Sequence, residues 1–539
     1  MIKKFFGTQH EVSEWAYTST QPYADPFNEV ELDVVIQGPQ GGIWQVPAFW
    51  AGGSEWRVRF APPRPGEYLI RTGCSDATNA GLHDQSAQLD ARPYAGADPL
   101  LSHGQLRVAG SRRTLEHADG TPFFWLGDTW WMGLCRRFKW PEDFQALTAD
   151  RTAKGFSLVQ IVAGLYPDMP GFDPRGANEA GFPWEADYAR LNPAYFDQAD
   201  LRIGWLVRSG LVPCIVGSWG YYLPLLGMRK MKQHWRNMVA RWGAYPVIWC
   251  LAGEAESPYY LSEDREGDIQ AQISGWVEMA RYIRQMDPFR RLLVVHAAPQ
   301  ICAGAEPEGL LDANLIEPAH GGPESVVASV DLIQRAYAHE PRLPALIDEV
   351  SYEGIMHYSG AEVQRLTFWT AMLSGAAGHT YGANGLWQMN TREEPYGASP
   401  GGHTWGNMPW DEAAALPGAA QQALGKRLLE RYEWWRFEPH QDWVSPAGTP
   451  EHFERPFAAG IPGKVRVIYV YGTFFSSYGT VEKIEPDAAY TAFFWDPRTG
   501  AEHPIGLVVP DANGSWIIPR EPELSDWVLV MEARAGRAV

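Results

Sequence analysis

Two acidic segments of the chain each run from an apolar stretch directly into carboxylates. The first, VIWCLAGEAE, covers residues 247–256, and the second, PALIDEVSYEG, covers residues 344–354. Apolar stretches of this kind predict buried strands, and carboxylates at strand ends that meet at one mouth of a barrel can donate a proton, attack a carbon or activate water. Cleavage of a glycosidic bond requires this chemistry. Whether the two segments meet depends on the elements around them.

Between residues 104 and 430 the sequence alternates apolar, strand-like runs with amphipathic helical patterns. The eight runs that predict strands cover residues 122–128, 157–164, 211–217, 247–254, 292–298, 314–321, 344–351 and 378–385. Nearly continuous apolar strands that alternate with helices form a parallel sheet covered on its outer face, and eight such units predict an α/β fold of the (β/α)8 barrel type. An open, doubly wound sheet is the alternative. No glycine-rich dinucleotide fingerprint or phosphate loop follows the first strand, which weakens that alternative.

The predicted barrel is flanked by strand-rich segments. A chain of 539 residues exceeds what one hydrophobic core usually organises. The first hundred residues and the last hundred carry short alternating runs punctuated by proline and glycine, and period-two alternation predicts antiparallel β-sandwiches. We therefore expect three domains: a β-sandwich over residues 1–97, the barrel over residues 104–430, and a second β-sandwich over residues 431–539.

Charge and aromatic content restrict the class of partner. The formal net charge is −19 with acidic residues spread along the chain, which argues against nucleic acid and against an anionic membrane surface. Aromatic residues make up 13% of the chain and include 25 tryptophans. Because the C–H face of a sugar stacks on indole and phenol rings, a carbohydrate is the expected partner. A β-rich protein also buries many aromatic side chains, so only tryptophans near strand ends favour carbohydrate binding.

Other sequence features indicate where the protein resides. The five cysteines are far apart and form neither a disulfide framework nor a zinc spacing. No uninterrupted apolar run approaches membrane-spanning length. The N-terminus, MIKKFFGTQHEVSEW, lacks the apolar core of a signal peptide, so a cytoplasmic location is expected. The sequence does not indicate an oligomeric state.

Candidate site residues are those that follow each predicted strand, because barrel enzymes carry their chemistry at the carboxyl ends of strands. The fourth strand ends at Glu254 and the seventh at Glu349, and these two form the candidate catalytic pair. The candidates for substrate binding are Asp128, Trp130 and Trp131 near the first strand, His296 near the fifth, His320 near the sixth, Glu353 near the seventh, and His379, Tyr381, Asn384 and Trp387 near the eighth.

The two glutamates are expected to play different roles. Glu254 closes the most hydrophobic strand, where desolvation favours the protonated form, so we expect it to act as general acid and base. Glu349 is then the expected nucleophile. Carboxylates on strands four and seven of an eight-stranded barrel can approach to the roughly 5–5.5 Å of a retaining mechanism, which favours retention.

Several of these acids also have a structural explanation. A carboxylate at a strand end can serve as a salt-bridge partner or a helix cap, and this explanation is favoured for Glu256, Asp348 and Glu353. Neighbours along a strand alternate in direction, so Asp348 should point away from Glu349. Helix N-capping is an alternative role for Asp128.

The three histidines near the strand ends could in principle hold a metal ion. His296, His320 and His379 lie on separate strands and lack the paired spacing of zinc ligands. Direct hydrogen bonding to substrate is therefore the expected role. The sequence predicts no metal and no cofactor.

Four segments resemble those of a known family. They are HADGTPFFWLGDTWW (residues 117–131), RWGAYPVIWCLAGE (residues 241–254), PALIDEVSYEG, and MLSGAAGHTYGANGLW (residues 372–387), and they are similar to the apiosidase-like glycoside hydrolases. The resemblance implies a clan-A-like barrel with the acid/base at Glu254 and the nucleophile at Glu349. One departure is Gly253, where the wider clan commonly has an asparagine that contacts the sugar 2-hydroxyl.

The resemblance extends to the flanking segments. YADPF (residues 23–27) and the PPRPGEY turn resemble the immunoglobulin-like domain that precedes such barrels in many relatives. The segments FEPHQDW and DPRTG are similar to a C-terminal β-domain of the collagen-binding type, although nothing in these residues indicates collagen binding.

The sequence thus predicts a retaining glycoside hydrolase that acts on a plant-type or other oligosaccharide or glycoside. Three alternatives stay open: an inverting hydrolase, a polysaccharide lyase on the same barrel, and a non-catalytic carbohydrate-binding protein. The anomer of the product separates retention from inversion, and an unsaturated product indicates a lyase. Binding without turnover indicates the third alternative.

Overall fold

Residues 3–472 and 479–534 are described by the structure, a computed structural model. The outer ends of the predicted first and third domains, residues 1–2 and 535–539, lie outside the described residues. Within those residues, an eight-stranded parallel sheet is flanked by strand-rich N-terminal and C-terminal regions, which confirms the predicted fold class. In the described part of the chain, no helix combines the length and the apolar character needed to span a membrane.

The N-terminal region consists of two sheets. Its strands are β1 (Lys3–Thr8), β2 (Ser13–Thr18), β3 (Leu32–Gln37), β4 (Ile43–Pro47), β5 (Phe49–Gly52), β6 (Glu55–Phe60), β7 (Gly66–Cys74) and β8 (Ser86–Arg92), with the short helix α1 (Pro26–Glu29) after β2. They form a five-stranded sheet, β1-β8-β7-β3-β4, and a three-stranded sheet, β2-β6-β5. In β7, Tyr68, Ile70 and Thr72 are buried and the residues between them are exposed, as the predicted alternation requires.

A short connecting region leads from these sheets into the barrel. It contains helix α2 (Pro99–Ser102) and the antiparallel strands β9 (Leu106–Val108), β10 (Leu115–His117) and β11 (Pro122–Phe123).

Eight parallel strands form the barrel, and each overlaps one of the eight predicted runs. They are β12 (Trp125–Thr129), β13 (Leu158–Val162), β14 (Val212–Val216), β15 (Ile248–Cys250), β16 (Leu293–Val294), β17 (Asn314–Ile316), β18 (Ala345–Ile347) and β19 (Gly378–Tyr381). Pairing follows the order β16-β15-β14-β13-β12-β19-β18-β17. Among these described strands, the barrel is therefore open only between β16 and β17, and we call this opening the seam.

Helices cover the outside of the barrel. They are α3 (Glu142–Lys154), α4 (Pro193–Arg208), α5 (Tyr222–Trp242), α6 (Arg265–Met286), α7 (Pro299–Ala305), α8 (Glu324–Ala338), α9 (Ala361–Leu373), α10 (Trp410–Ala414) and α11 (Pro417–Leu429). Every residue of β13 and β14 is buried, because the barrel interior covers one face and the helices the other. The Asn192 side chain caps α4 ahead of Pro193, and Gly155, at a φ of 97°, ends α3.

The C-terminal region again consists of two antiparallel sheets. Its strands are β20 (Glu438–Pro439), β21 (Val444–Ser445), β22 (Phe457–Ile461), β23 (Val465–Val470), β24 (Thr480–Val481), β25 (Tyr490–Trp495), β26 (Glu502–Leu507), β27 (Trp516–Ile517) and β28 (Trp527–Ala533). They pair as β20-β22-β23-β28-β25-β26 and as β21-β24-β27.

Helix α9 joins the barrel to the C-terminal region. All of its residues after the first two are buried, because one side faces the barrel and the other packs on β22 and β23. The Trp369 ring stacks on Tyr469 with centroids 6.1 Å apart. Arg365 forms a buried, two-pronged ion pair with Asp526 at 2.7 and 2.8 Å, and the Tyr469 hydroxyl donates to the same carboxylate at 3.0 Å. The contact therefore combines apolar packing with a paired buried charge.

Breaking this ion pair should destabilise the protein. Asp526→Ala leaves the Arg365 guanidinium buried without a counter-charge, and we expect it to lower the free energy of unfolding by about 3–5 kcal/mol. Denaturation followed by circular dichroism measures the effect. As a control, Asp411→Ala removes a partner of the exposed Arg392 and should leave the midpoint unchanged. Equal midpoints for the two variants would contradict this account.

Candidate active site

A cavity of about 100 Å³ lies at the mouth of the barrel, at the carboxyl ends of the strands. Its lining residues follow every barrel strand except β16: Trp131, Pro167, Asp168, Trp219, Glu254, Tyr260, His320, Glu349, Tyr352, Ile355, Trp387 and Trp405. Both members of the candidate catalytic pair are among them. We call this space the substrate cavity.

Glu349 is buried and surrounded by donors. The Tyr352 hydroxyl donates to its Oε1, and His320 Nε2 lies 3.2 Å from the same oxygen. His296 Nε2 lies 3.0 Å from the other oxygen, Oε2. Burial alone would raise the pKa of Glu349, but the hydrogen bonds and positive charges of His296 and His320 outweigh it and hold the pKa at about 2. The Glu349 carboxyl is therefore ionised.

His296 is held in turn by Asp348. Its Nδ1 lies 2.5 Å from Asp348 Oδ2, and both side chains are fully buried. Burial would lower the pKa of His296, but the charges of Asp348 and Glu349 outweigh it and raise the pKa well above its ordinary value. The prediction that Asp348 points away from Glu349 is wrong, because β18 ends at Ile347 and strand alternation stops before the two acids. Both carboxylates approach the same imidazole, one at each nitrogen.

Glu254 has a different environment. Its Oε2 accepts a hydrogen bond from Trp219 Nε1 at 3.1 Å. Burial, and then the negative charge of Glu349, raise the pKa of Glu254 above its ordinary value. Its backbone has a φ of 40°, which side chains with a Cβ rarely adopt and which is often found at functional sites. The carboxyl of Glu254 therefore favours the protonated form more than that of Glu349.

Gly253 lets Trp219 pack beside Glu254. The backbones of Trp219 and Gly253 form a parallel bridge, and a Cβ on Gly253 would lie 2.3 Å from the Trp219 ring. Any larger side chain at residue 253, including the asparagine of the wider clan, would meet the indole. Because residue 253 is glycine rather than asparagine, Trp219 can occupy the space next to Glu254.

Asp168 links three loops at the mouth and was not among the residues predicted from the strand ends. It lies in the loop after β13, is 6% exposed and has a φ of 56°. The Tyr260 hydroxyl donates to its Oδ1, and Trp405 Nε1 donates to its Oδ2 at 3.0 Å. Tyr260 follows β15 and Trp405 follows β19, so Asp168 fixes two aromatic walls of the cavity. A positive φ at a non-glycine residue is visible only in the structure.

Three of the predicted binding residues line the cavity: Trp131, His320 and Trp387. Trp131 Nε1 donates to the Tyr352 hydroxyl at 2.9 Å, and the Trp387 ring stacks on Tyr352 with centroids 5.9 Å apart. The His320 ring also stacks on Tyr352, with centroids 4.9 Å apart. Tyr352, three residues after Glu349 in the same segment, is thus contacted by three side chains of the cavity. The sequence prediction did not include it.

Asp128 and Trp130 lie away from the cavity. Asp128 is fully buried, pairs with Arg151 of α3 at 2.6 Å and accepts from Trp130 Nε1 at 2.8 Å. The Trp130 ring packs edge-on against Phe138 and Phe144. These positions do not support the predicted sugar contacts, nor the alternative of an N-cap for Asp128. The acid neutralises a buried arginine.

Glu353 and Tyr381 also serve the scaffold. Glu353 accepts from the Tyr381 hydroxyl at 2.5 Å and from the main-chain N–H of Gly418 at 2.9 Å, at the start of α11. Glu256 does the same at α7, where it accepts from the N–H of Ile301 at 2.8 Å. Helix capping, the structural explanation considered for both acids, accounts for their positions.

His379 and Asn384 lie outside the cavity as well. His379 packs against Phe368 of α9 and contacts Gln422 of α11, and burial lowers its pKa to about 3. Asn384 donates to the main-chain oxygen of Trp405 and so supports a cavity wall. Neither position supports the predicted direct contact with substrate.

One group of side chains could hold a metal ion among the described residues. His296, Glu317 and Glu349 each place one donor atom within 4.8 Å of the others. The same atoms are also engaged in charge pairs, His296 with Glu349 at 3.0 Å and with Glu317 at 3.6 Å. Charge pairing accounts for this geometry, and we assign no metal to it.

A (β/α)8 barrel that brings two carboxylates together among aromatic side chains at its carboxyl mouth is the arrangement of barrel glycoside hydrolases. Solved structures share this fold. A glycoside hydrolase superposes with a TM-score of 0.67 at 21% identity, covering 80% of this chain and 97% of its own. A protein of Bacteroides vulgatus ATCC 8482 described as a glycoside hydrolase gives 0.70 at 17% identity, with 98% and 100% covered. A family 5 glycoside hydrolase of the same strain gives 0.66 at 21% identity, with 81% and 94% covered.

The family follows from the sequence comparison. The profile of the apiosidase-like catalytic domain matches residues 109–436, and that of a domain of unknown function, DUF5060, matches residues 8–75. The first match covers more than half of the chain, so the protein belongs to the apiosidase-like family and is an O-glycosyl hydrolase. No curated protein matches the sequence at a significant level.

Gly253→Ala should impair glycoside hydrolysis. The added Cβ would lie 2.3 Å from the Trp219 ring and must displace the indole that hydrogen-bonds Glu254. We expect kcat/KM to fall by about tenfold or more, since a small misplacement of a group beside the reacting centre can cost about a hundredfold. Steady-state kinetics measure the change. Gly110→Ala, where a Cβ meets nothing within 4 Å, is the matched control. Normal activity in Gly253→Ala would contradict the role given to Trp219.

Proposed function

We propose that this protein is a retaining glycoside hydrolase in which Glu254 is the general acid and base and Glu349 is the nucleophile. The observation that carries the proposal is that two carboxyls of one cavity have opposite surroundings: Glu349 lies among two imidazoles and a phenol, whereas Glu254 accepts from one indole. The pKa of Glu349 is held at about 2, whereas that of Glu254 is raised by burial and by the charge of Glu349. An acid must hold its proton and a nucleophile must be ionised, and this pair meets both requirements.

The first half of the reaction forms a covalent intermediate. A Glu349 oxygen attacks the anomeric carbon, the bond from that carbon to the leaving oxygen breaks, and Glu254 gives its proton to the leaving oxygen. In the second half, Glu254 takes a proton from water, and the resulting hydroxide displaces Glu349 from the anomeric carbon. The enzyme returns to its starting protonation state, and two inversions give net retention.

The donors around Glu349 support its role by fixing its orientation. Tyr352 and His320 approach Oε1, and His296 approaches Oε2. A carboxylate held from several directions loses little rotational freedom when it attacks, which lowers the entropic part of the barrier. Glu254 accepts a hydrogen bond from Trp219 and keeps the freedom to exchange its proton with water.

The cavity lining favours a neutral sugar. Aromatic side chains dominate it, and these present flat faces to the C–H groups of a pyranose or furanose ring. Asp168 adds a carboxylate that can accept from a sugar hydroxyl. Among the described residues that line the cavity, none is lysine or arginine, the residues that would pair with a uronate. We therefore propose a neutral glycoside, such as a plant-wall oligosaccharide, as the substrate class.

Two substitutions separate the roles of the glutamates. Glu254→Gln should lose at least about a hundredfold in kcat/KM on substrates with poor leaving groups, the usual size of a general-acid contribution, and should lose far less in kcat/KM on a dinitrophenyl glycoside, whose leaving group needs no protonation. Glu349→Gln should abolish turnover of both. Stopped-flow and steady-state assays measure the rates, and circular dichroism verifies the fold. Activity of Glu349→Gln close to that of the wild type would exclude it as the nucleophile.

The anomer of the first product tests retention. A screen of aryl pentosides and hexosides, with plant-wall oligosaccharides alongside, identifies a substrate, and proton NMR then follows the anomeric signal from the start of hydrolysis. We expect the product to appear in the anomeric configuration of the substrate before mutarotation. The opposite anomer would indicate an inverting enzyme, and an unsaturated sugar a lyase. Binding without turnover across the panel would indicate a non-catalytic protein.

A further inference from the structure

Glu317 lies in the segment after β17, close to the candidate nucleophile Glu349. Its Oε2 is 3.6 Å from His296 Nε2, and its Oε1 is 3.5 Å from His320 Nε2. The same two nitrogens face Oε2 and Oε1 of Glu349, at 3.0 and 3.2 Å. Each carboxylate thus faces both imidazoles, one oxygen toward each Nε2.

Glu317 approaches this cluster from outside the substrate cavity. It lines a second cavity of about 530 Å³ at the seam, between α7 and α8, and is not among the residues that line the substrate cavity. It follows β17, one of the two strands that border the seam. A contact with the sugar therefore does not explain why an acid occupies this position.

The charges of the two histidines are balanced unequally. His296 has Asp348 at its Nδ1, but the Nδ1 of His320 is buried and has no hydrogen-bond partner among the described residues. The carboxylates within 4.0 Å of His320 in the described part of the chain are those of Glu349 and Glu317. When Glu349 forms an ester with the sugar, its charge disappears, and Glu317 is the acid that still faces His320.

We propose that Glu317 is a positioning residue, which holds His296 and His320 against Glu349 and takes over as the counter-charge of His320 in the covalent intermediate. The inference rests on the proposed role of Glu349 as nucleophile. In the first step the bond from Glu349 to the anomeric carbon forms, the bond to the leaving oxygen breaks, and the proton of Glu254 goes to that oxygen. A proton held by Glu317 then passes to water, and Glu317 takes a proton back from water when hydrolysis frees the Glu349 carboxylate.

The surroundings of Glu317 fit this exchange of charge. Burial, and then the charge of Glu349, raise the pKa of Glu317 to about 8, while His296 and His320 lower it and Glu254 raises it. Esterification removes the charge of Glu349, the larger of the two like charges that raise the pKa of Glu317, so this pKa falls. Loss of the Glu349 charge thus favours ionisation of Glu317, the other carboxyl that faces His320.

Glu317→Gln tests the proposal, because glutamine keeps the size and hydrogen bonding of the side chain but not its charge. On the substrate found by the screen, we expect kcat to fall by about tenfold or more while KM changes by less than about threefold, since an interaction gained only after binding affects kcat. The pKa of His320, about 9 in the wild type, should also fall when followed by ¹⁵N NMR of its imidazole. Glu317→Asp, which keeps the charge, should retain more of kcat than Glu317→Gln.

The matched control is Glu306→Gln. Glu306 lines the same seam cavity and pairs with a histidine, His339, at 2.7 Å, but this pair lies on the surface. The proposal would be overturned if Glu317→Gln had the same kcat, the same KM and the same His320 pKa as Glu306→Gln. A stoichiometric metal, found by elemental analysis in the wild type and lost in Glu317→Gln, would also overturn it. Turnover by Glu349→Gln would instead refute the proposed function, independently of Glu317.

Discussion

A buried negative charge on Glu349 is the constraint on which the rest of the site depends. An unpaired ion costs several kcal/mol to bury, so the carboxylate persists only if donors are held around it. His296, His320 and Glu349 follow β16, β17 and β18, and the barrel brings the ends of these strands to one point. Asp348, together with the charge of Glu349 itself, raises the pKa of His296 and so favours its charged form. The charge on Glu349 therefore requires that these strand ends converge, in addition to any steric reason for the barrel's shape.

Glu254 meets the opposite requirement by other means. Its positive φ and its place beside Trp219 depend on the absence of a side chain at Gly253. Few donors reach it, and burial together with the charge of Glu349 favours its protonated form. The two acids therefore differ because their neighbours differ, although both follow buried strands and both line one cavity. One fold supplies both environments through loops of different composition.

The sequence predicted the eight barrel strands and the position of both glutamates at one mouth of the barrel, because apolar runs and polar residues at strand ends are local signals. It could not tell which face of a fully buried strand points inward, since both faces are apolar. His379, Tyr381 and Asp128 accordingly lie on the outer face of β19 and β12, toward the helices. Asp168 and Trp405 were missed for another reason: they lie far along loops, where contacts depend on tertiary folding.

The C-terminal sheets have a closer relation to the barrel than their sequence pattern indicates. Helix α9 precedes β19 and is buried between the barrel and strands β22 and β23, with Trp369 and Arg365 reaching into the C-terminal region. Removing that region would expose an apolar helix on the outside of the catalytic domain. The C-terminal region therefore acts as an integral wall of the enzyme rather than a detachable module, and exchanging it between relatives would require redesign of the helix surface beneath it.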